Sequence, residues 1–255
     1  MLEIFSIHIT PFKQDRIIRV YLPKGYHEDN KSYPVLYMHD GGNVFNDDDA
    51  VGGISLGLEE YLDKNRVELI VIAIDSKTGE ERVNEYCPWV NGEYSKEILG
   101  EQSNLGGQGV QYVDFIVKEL KPFIDNKYRT LKDSNYMAGI SLGGLISTYA
   151  ACQYPKLFTR IAAVSCAYFR NQEEIEKLVE KSDLSLVERF YLDCGTKESN
   201  KDKKVSKLFL DSNQSVYEIL KHKITKSRFE VIRDGQHNYE YFRKRFPEVL
   251  TYLLG

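Results

Sequence analysis

The sequence has no run of about 20 consecutive apolar residues, which is the length that a helix needs to span a membrane. Its first residues lack the basic region and the following apolar stretch of a secretory signal peptide, so none is expected there. The chain has four cysteines, and they form no CxxC pair and no metal-ligand spacing. These absences predict a cytoplasmic protein with reduced cysteines and no membrane partner.

Positive charge is scarcer than negative charge. The 34 Lys and Arg residues are outnumbered by 38 Asp and Glu, which gives a net charge of −4 at pH 7. A nucleic-acid-binding domain carries a basic patch or stripe, and none is visible along this chain, so no nucleic-acid partner is expected. Apolar residues form 42% and charged residues 28% of the chain, which is typical of a globular protein and excludes a disordered or collagen-like one.

The chain also lacks a Pro/Gly/Ser-rich linker and an internal repeat, so a single domain is predicted over residues 1–255. Apolar β-rich runs alternate with stretches of helical periodicity, which predicts a mostly parallel sheet with helices on both faces. A short link between the first two runs favours an antiparallel pair. Eight strands are predicted, at 4–10, 17–22, 34–39, 68–74, 135–140, 160–165, 190–194 and 229–232. Six helices are predicted, at 56–64, 110–126, 143–153, 173–181, 205–222 and 239–254.

The pentapeptide GISLG occurs twice, at 53–57 and 139–143, and both copies satisfy the nucleophile pattern G-x-S-x-G. The nucleophilic serine of this pattern sits on a sharp turn between a strand and a helix. Ser141 fits, because it follows the apolar run NYMAGI and precedes a helix-like stretch. Ser55 follows the acidic loop sequence NDDDAVG, where a loop or helix-capping role is predicted. Ser141 is therefore the candidate nucleophile.

A nucleophilic serine in this context is followed along the chain by an acid and then by a histidine. Only two histidines lie after Ser141. His222 sits in the basic helix end KHKITK, where a solvated position is predicted. His237 follows the last predicted strand, on a loop where Gly235 permits a tight turn. His237 is therefore the candidate base.

The acid that orients this histidine has more than one candidate. The run FYLDCGTKE contains Asp193 within the predicted strand and Glu198 just after it, and Asp234 is a third candidate. The carboxylate must reach the imidazole and stabilise it when it is protonated. Glu198 is preferred because it lies on a loop that can reach across to His237.

Acyl transfer also needs two N–H donors for the oxyanion that develops on the substrate. Leu142 is expected to supply one, since it directly follows the nucleophile at the start of a helix. The loop HDGGNVF after the third strand is expected to supply the other, from Gly42 or Asn43. The adjacent glycines leave the backbone N–H groups of this loop unobstructed.

Two other interpretations of the chain are weaker. His39 and Asp40 could suggest a metal site together with the acidic residues 47–49, but their spacing matches no metal-binding loop, so a solvated acidic loop and no metal are predicted. No G-x-G-x-x-G follows the first strands, which argues against dinucleotide binding. A triad of this type needs no organic cofactor.

A long stretch without clear periodicity, residues 76–109, contains the only Trp of the chain and is predicted to be a functional loop. Side chains on loops at the carboxyl edge of the sheet are candidates to line a substrate pocket. The pocket residues predicted on this basis are Asn43, Phe45, Tyr86, Trp89 and Tyr168.

The segments PVLYMHDGGNVF, NEYCPW, MAGISLGGLISTYAACQYPKLF, YLDCGTKE and GQHNYEYF resemble, in this order, the esterase D-like family of the α/β-hydrolase superfamily. The resemblance extends over nearly the whole chain and is far more specific than G-x-S-x-G. It implies an eight-stranded α/β-hydrolase fold. It also implies a triad of Ser141, Glu198 and His237 with oxyanion donors at Gly42 and Leu142. Most relatives have Asp where this chain has Glu198.

The resemblance implies ester hydrolysis, because the family includes S-formylglutathione hydrolases, feruloyl esterases and siderophore-ester hydrolases. The segment 169–185 is short and highly charged, which predicts a minimal lid. We therefore predict a serine carboxylesterase for short-chain or polar acyl esters, with a small-molecule ester as its partner. Two alternatives stay open: an acyltransferase with the same triad, and a non-catalytic binding protein with this fold. The sequence predicts neither the natural ester nor the oligomeric state.

Overall fold

The computed structural model describes all residues from Met1 to Gly255, and eight strands form its single sheet. The strands are β1 Leu2–Ile9, β2 Gln14–Tyr21, β3 Tyr33–His39, β4 Ile70–Ile74, β5 Thr130–Ile140, β6 Phe158–Val164, β7 Arg189–Gly195 and β8 Ser227–Ile232. The helices are α1 Leu58–Asn65, α2 Gly79–Tyr86, α3 Tyr94–Leu99, α4 Gly109–Phe115, α5 Lys121–Lys127, α6 Leu142–Gln153, α7 Gln172–Lys181, α8 Lys203–Leu220 and α9 Tyr239–Leu254. A π-helical turn joins α4 to α5.

The strand order is β1-β2-β4-β3-β5-β6-β7-β8. β1 pairs antiparallel with β2, as predicted, and β2 pairs antiparallel with β4. The strands from β3 to β8 are all parallel to their neighbours. The eight predicted strands and six predicted helices are confirmed, with the largest difference at β5, which begins at Thr130 instead of residue 135. The short helices α2 and α3 lie in the segment for which no periodicity was visible.

Both faces of the central strands are buried, which explains their nearly continuous apolar sequence. All five residues of β4 are fully buried, for example. A cluster of 22 buried residues packs one face of the sheet against α1 and α9. A larger cluster of 47 buried residues fills the other face, under α2 and the helices from α4 to α8. No helix of the chain combines the length and the apolar character required to cross a lipid bilayer.

The carboxyl ends of the parallel strands carry the residues of interest. β3 leads into the loop of residues 40–43, and β5 leads directly into Ser141. The loops after β7 and β8 carry Glu198 and His237. Because the carboxyl ends of parallel strands meet at one edge of a sheet, four segments that are distant in sequence come together there.

Candidate active site

Ser141 occupies a sharp turn between β5 and α6. Its backbone has φ 59° and ψ −118°, a conformation that a non-glycine residue rarely adopts. Its N–H donates to the carbonyl oxygen of Val164 at 2.9 Å, which fixes the turn to β6. The turn is so tight that a Cβ added at Gly139 would lie 2.2 Å from the backbone of Gly143. Gly139 is therefore required for the close approach of strand and helix.

A short hydrogen bond joins His237 to Glu198. His237 Nδ1 lies 2.6 Å from Glu198 Oε2, and the side chains are 31% and 1% exposed. A carboxylate only accepts hydrogen bonds, so the proton of the neutral imidazole lies on Nδ1. Nε2 is consequently left as an acceptor, which is the state that a general base requires.

Glu198 is held from its other oxygen as well. Oε1 accepts hydrogen bonds from the Gly195 N–H and from the Ser165 hydroxyl, each at 2.5 Å. Burial opposes ionisation of this carboxyl group, but the hydrogen bonds from His237, Ser165 and Gly195 outweigh it and lower the pKa of Glu198. Glu198 is therefore an ionised carboxylate in a fixed orientation at neutral pH.

The two other candidate acids have different partners. Asp193 is buried in β7 and accepts two hydrogen bonds from the guanidinium of Arg245, at 2.8 and 3.0 Å. It also accepts the Ser165 N–H at 3.0 Å, so its oxygens are committed away from the imidazole. Asp234 lies on the surface and pairs with Lys197 at 2.9 Å. Glu198 is the acid that the structure brings to His237.

The loop after β3 forms a single 3₁₀ turn, Gly41–Asn43. The Asn43 N–H donates to the Asp40 carbonyl at 2.8 Å, so this amide is already used within the turn. Gly42 lies one position earlier, in the first turn, where an N–H group has no acceptor within the helix. Leu142 is the first residue of α6, and the same reasoning leaves its N–H available. Gly42 is thus better suited than Asn43 as the second donor.

The GISLG copy at residues 53–57 has a structural role. Ser55 is fully buried, and its hydroxyl donates to Asp47 Oδ1 at 2.9 Å. Arg243 of α9 pairs with the same aspartate and donates to the Ser55 carbonyl at 2.7 Å. Ser55 therefore ties the acidic loop to the last helix, and its hydroxyl makes no hydrogen bond to His237.

Ser141 and His237 lie where two cavities meet. One cavity, of about 310 Å³, has a mostly polar lining that includes Asp40, Asn43 and Tyr239. The other, of about 510 Å³, has a lining that is half hydrophobic and includes Leu142 and Glu198. A planar group bound at Ser141 could therefore place one substituent in each cavity.

Of the predicted pocket residues, Asn43 lines the polar cavity. The other four line neither cavity at Ser141: Phe45, Tyr86 and Tyr168 are buried in the core, and the partly buried Trp89 packs against it. Phe45 stacks on Tyr21, Trp89 packs edge-on against Tyr149, and Tyr168 is fully buried with its hydroxyl 2.6 Å from Thr148 Oγ1. Tyr86 is fully buried, and its hydroxyl accepts a hydrogen bond from the N–H of Asp40, which precedes the 3₁₀ turn.

Two buried polar residues, His39 and Asp40, support the site through contacts that no clear sequence pattern indicated. His39 Nδ1 lies 2.9 Å from the Tyr112 hydroxyl, and Nε2 lies 3.1 Å from Ser147 Oγ. Ser147 itself donates to the Gly143 carbonyl at 2.7 Å, so His39 must be the donor to Ser147. Burial lowers the pKa of His39 to about 4, so this imidazole is neutral at pH 7. The network connects β3 to α6 beneath the turn at Ser141.

Asp40 is the second such group, at the end of β3. Its backbone is left-handed, with φ 58°, and its side chain accepts two hydrogen bonds from Arg82, each at 2.7 Å. Burial opposes ionisation of Asp40, but the neighbouring Arg82 charge prevails and lowers the pKa of this carboxyl group. Arg82 lines both cavities at Ser141.

A mostly parallel eight-stranded sheet, with a serine on a strained turn after its fifth strand, defines an α/β-hydrolase fold. The chain belongs to the esterase family whose model, described as "Putative esterase", matches residues 9–253. It is 29% identical over 248 residues to the uncharacterized protein YbbA of Bacillus subtilis, covering 94% of this chain and 93% of YbbA.

Solved structures show the same fold at lower identity. An IroE-like serine hydrolase from Shewanella oneidensis matches with a TM-score of 0.79 and 18% identity, over 100% of this chain and 80% of the other. The siderophore hydrolase EstA from Aspergillus nidulans matches with a TM-score of 0.79 and 17% identity, over 100% and 95%. The predicted family and fold class are therefore confirmed.

Proposed function

We propose that this protein is a serine carboxylesterase that hydrolyses short-chain or polar acyl esters through an acyl-enzyme. The observation that carries the proposal is the 2.6 Å contact between His237 Nδ1 and Glu198 Oε2, at a site that also contains a strained serine turn. Membership of an esterase family supports it, as does the structural similarity to a serine hydrolase and a siderophore hydrolase.

The first half of the proposed reaction forms the acyl-enzyme. Ser141 Oγ attacks the ester carbonyl carbon while His237 Nε2 takes the hydroxyl proton. Glu198 stabilises the imidazolium that results, because its carboxylate already accepts the Nδ1 proton. The C–O bond to the alcohol then breaks, and the Nε2 proton leaves with the alcohol oxygen.

The second half returns the enzyme to its starting state. A water molecule loses a proton to His237 Nε2 and attacks the acyl carbon. The bond to Ser141 Oγ breaks, the serine recovers the proton, and the carboxylic acid is released. In both halves the oxyanion is bound by the N–H groups of Gly42 and Leu142, and the loss of one such donor typically lowers turnover by about 10²–10³-fold.

The cavities support a small substrate. Volumes of about 310 and 510 Å³ accommodate modest substituents on the two sides of an ester. The segment between β6 and β7 consists of a short 3₁₀ turn and α7, which packs along α8. These features favour short-chain or polar acyl esters over long-chain lipids.

The test compares hydrolysis of p-nitrophenyl acetate and p-nitrophenyl butyrate by the wild type, Ser141→Ala and Ser55→Ala. The two serines occupy the same position in two identical pentapeptides, so Ser55→Ala is a matched control. We expect Ser141→Ala to lose turnover by about 10³-fold or more, because the nucleophile is removed. Ser55→Ala should keep turnover at a modestly reduced stability, since it removes the buried hydroxyl that hydrogen-bonds to Asp47 and Arg243.

Mass spectrometry after fluorophosphonate treatment identifies the labelled residue, and a single adduct on Ser141 is expected. If the wild type neither turns over these esters nor reacts, the non-catalytic alternative replaces the proposal. Addition of acceptor alcohols tests the acyltransferase alternative, because new ester products in place of the free acid would identify transfer. The four free, buried cysteines are compatible with a reducing compartment, and a cytoplasmic location stays a prediction.

A further inference from the structure

Arg170 lies in the 3₁₀ turn Tyr168–Asn171 that follows β6, and it lines the larger cavity together with Ser141. It is partly buried, and its guanidinium forms no ion pair and donates no hydrogen bond to another protein group. The side chain lies beside the ring of Phe169, 5.5 Å from its centroid. An arginine whose five N–H donors meet no acceptor from the protein therefore lines the cavity that contains Ser141.

The other charged groups that line this cavity are compensated. Arg82 is neutralised by Asp40 through two hydrogen bonds of 2.7 Å. Glu198 is engaged by His237 and by two further donors. Arg170 is the exception: the charged group that acts on it is the guanidinium of Arg82, and the nearby Cys87 thiol is neutral because burial raises its pKa to about 12.

The position of the Arg170 guanidinium is electrostatically unfavourable. Burial lowers the pKa of Arg170, and the nearby positive charge of Arg82 acts in the same direction. A partly desolvated cation without a counter-charge is an incomplete interaction, which an anionic ligand would complete. A planar guanidinium matches the two oxygens of a carboxylate particularly well.

We propose that the natural substrate is an ester that carries a carboxylate, and that Arg170 binds this carboxylate while Ser141 attacks the ester carbonyl. The inference rests on the proposed esterase function and adds a charge to its substrate. The side chains of Val83, Ile98, Phe169 and Phe209 line the same cavity and would contact the apolar segment between the two groups. Arg170 is a specificity-determining residue in this proposal.

Two matched pairs of esters test the proposal, one for each side of the ester bond. On the acyl side, mono-p-nitrophenyl glutarate is compared with the neutral p-nitrophenyl valerate. On the alcohol side, 4-acetoxybenzoate is compared with its neutral methyl ester. For each pair, the ratio of kcat/KM for the anionic ester to that for the neutral ester is measured in the wild type, Arg170→Gln, Arg170→Lys and Arg228→Gln.

Division of the wild-type ratio by the variant ratio cancels the intrinsic reactivity of the two esters. We expect Arg170→Gln to lower the ratio by about tenfold or more in at least one pair, which is the range of a charge-assisted hydrogen bond. The loss should come mainly from a raised KM, and Arg170→Lys should recover part of it because the charge remains. Arg228, at the amino end of β8, should leave both ratios unchanged.

Turnover of the neutral esters separates the two proposals. If the neutral esters are hydrolysed in a Ser141-dependent reaction but neither ratio changes in Arg170→Gln, the carboxylate proposal is wrong and the esterase proposal stands. If no ester of either pair is hydrolysed, the esterase proposal is wrong, and the carboxylate proposal, which depends on it, is wrong as well. The preference for the anionic ester should also weaken as ionic strength rises, since the cavity is open to solvent and its charges are screened.

Discussion

Asp40 and Arg82 form a bidentate ion pair at the start of the loop that carries Gly42, with both hydrogen bonds at 2.7 Å. Asp40 is almost fully buried and precedes the 3₁₀ turn that contains Gly42. Its left-handed backbone is a strained conformation that must be held by its surroundings. Arg82, from α2, supplies this restraint through its two hydrogen bonds to the Asp40 carboxylate.

Replacement of Arg82 should therefore affect turnover more than binding. Arg82→Gln leaves the buried Asp40 carboxylate without its counter-charge, so we expect a loss of about 2–4 kcal/mol in the free energy of unfolding. At temperatures where the variant is folded, kcat for p-nitrophenyl acetate should fall by about tenfold or more, because the Gly42 N–H is displaced. Urea unfolding and steady-state kinetics measure the two effects.

The matched control is Lys207→Gln, which removes an exposed ion pair with Asp211 on α8. Exposed pairs contribute about 0–1 kcal/mol, so its stability and kcat should stay near those of the wild type. An Arg82→Gln variant with unchanged kcat would show that the ion pair does not position the loop that carries Gly42.

Substitution of Glu198 should mainly lower turnover, whereas substitution of Asp193 should mainly lower stability. Glu198→Gln removes the negative charge beside His237, and we expect kcat to fall by about 10²–10⁴-fold with a small change in stability. Asp193→Asn leaves Arg245 as an unpaired buried cation, and we expect a loss of about 3–5 kcal/mol in the free energy of unfolding with kcat within about tenfold of the wild type. Kinetics and urea unfolding of both variants provide the comparison. The reverse pattern would assign the triad acid to Asp193.

The first glycine of each GISLG copy offers a test of the strained turn. A Cβ at Gly139 would lie 2.2 Å from the backbone of Gly143, whereas a Cβ at Gly53 would meet no atom within 4 Å. Gly139→Ala should therefore abolish folding or lower stability by at least about 3 kcal/mol, since the clash is with backbone. Gly53→Ala should cost only about 1–2 kcal/mol, because its φ of 75° strains an alanine. Thermal unfolding of the two variants measures the difference, and equal losses would contradict the predicted packing of β5 on α6.

His39 should make the stability of the protein depend on pH. Its pKa is lowered from 6.5 to about 4 by burial, so between these values the unfolded chain binds the additional proton. The stability contribution of neutral His39 is complete above pH 6.5 and is lost as the pH falls towards 4, by up to about 3 kcal/mol. His39→Gln should be less stable at pH 7 but lose less stability on acidification. Urea unfolding at pH 7 and 5 checks this, and parallel pH profiles for both proteins would exclude His39 as the titrating group.

Local patterns were sufficient to predict the sheet and the position of Ser141 and His237. Strands covered on both faces are continuously apolar, and a strand followed by GISLG and a helix is a strong combination of signals. The helix α2 was missed because its sequence, GEERVNEY, is polar. Its Glu85 is nevertheless buried, in an ion pair with Arg16 that spans 69 residues of sequence. A partner at that separation leaves no trace in a local pattern.

The pocket was the least predictable part of the site. An aromatic residue on a loop has the same sequence signature whether its ring faces a cavity or packs into the core. Tyr86 and Tyr168 pack into the core, where their hydroxyls find Asp40 and Thr148 as partners. Arg82 and Arg170, which do line a cavity, have the composition of ordinary surface residues. Only the three-dimensional contacts distinguish these cases.

The position of Ser141 between two cavities sets an order of events for an acyl-enzyme mechanism. Once the alcohol has left, one cavity is vacant while the acyl group still occupies the other. Incoming water then has its own route to the acyl carbon, past the solvent-accessible imidazole of His237. In such a mechanism the alcohol departs before the acid, and the nucleophile that next enters the vacant space decides the fate of the acyl group.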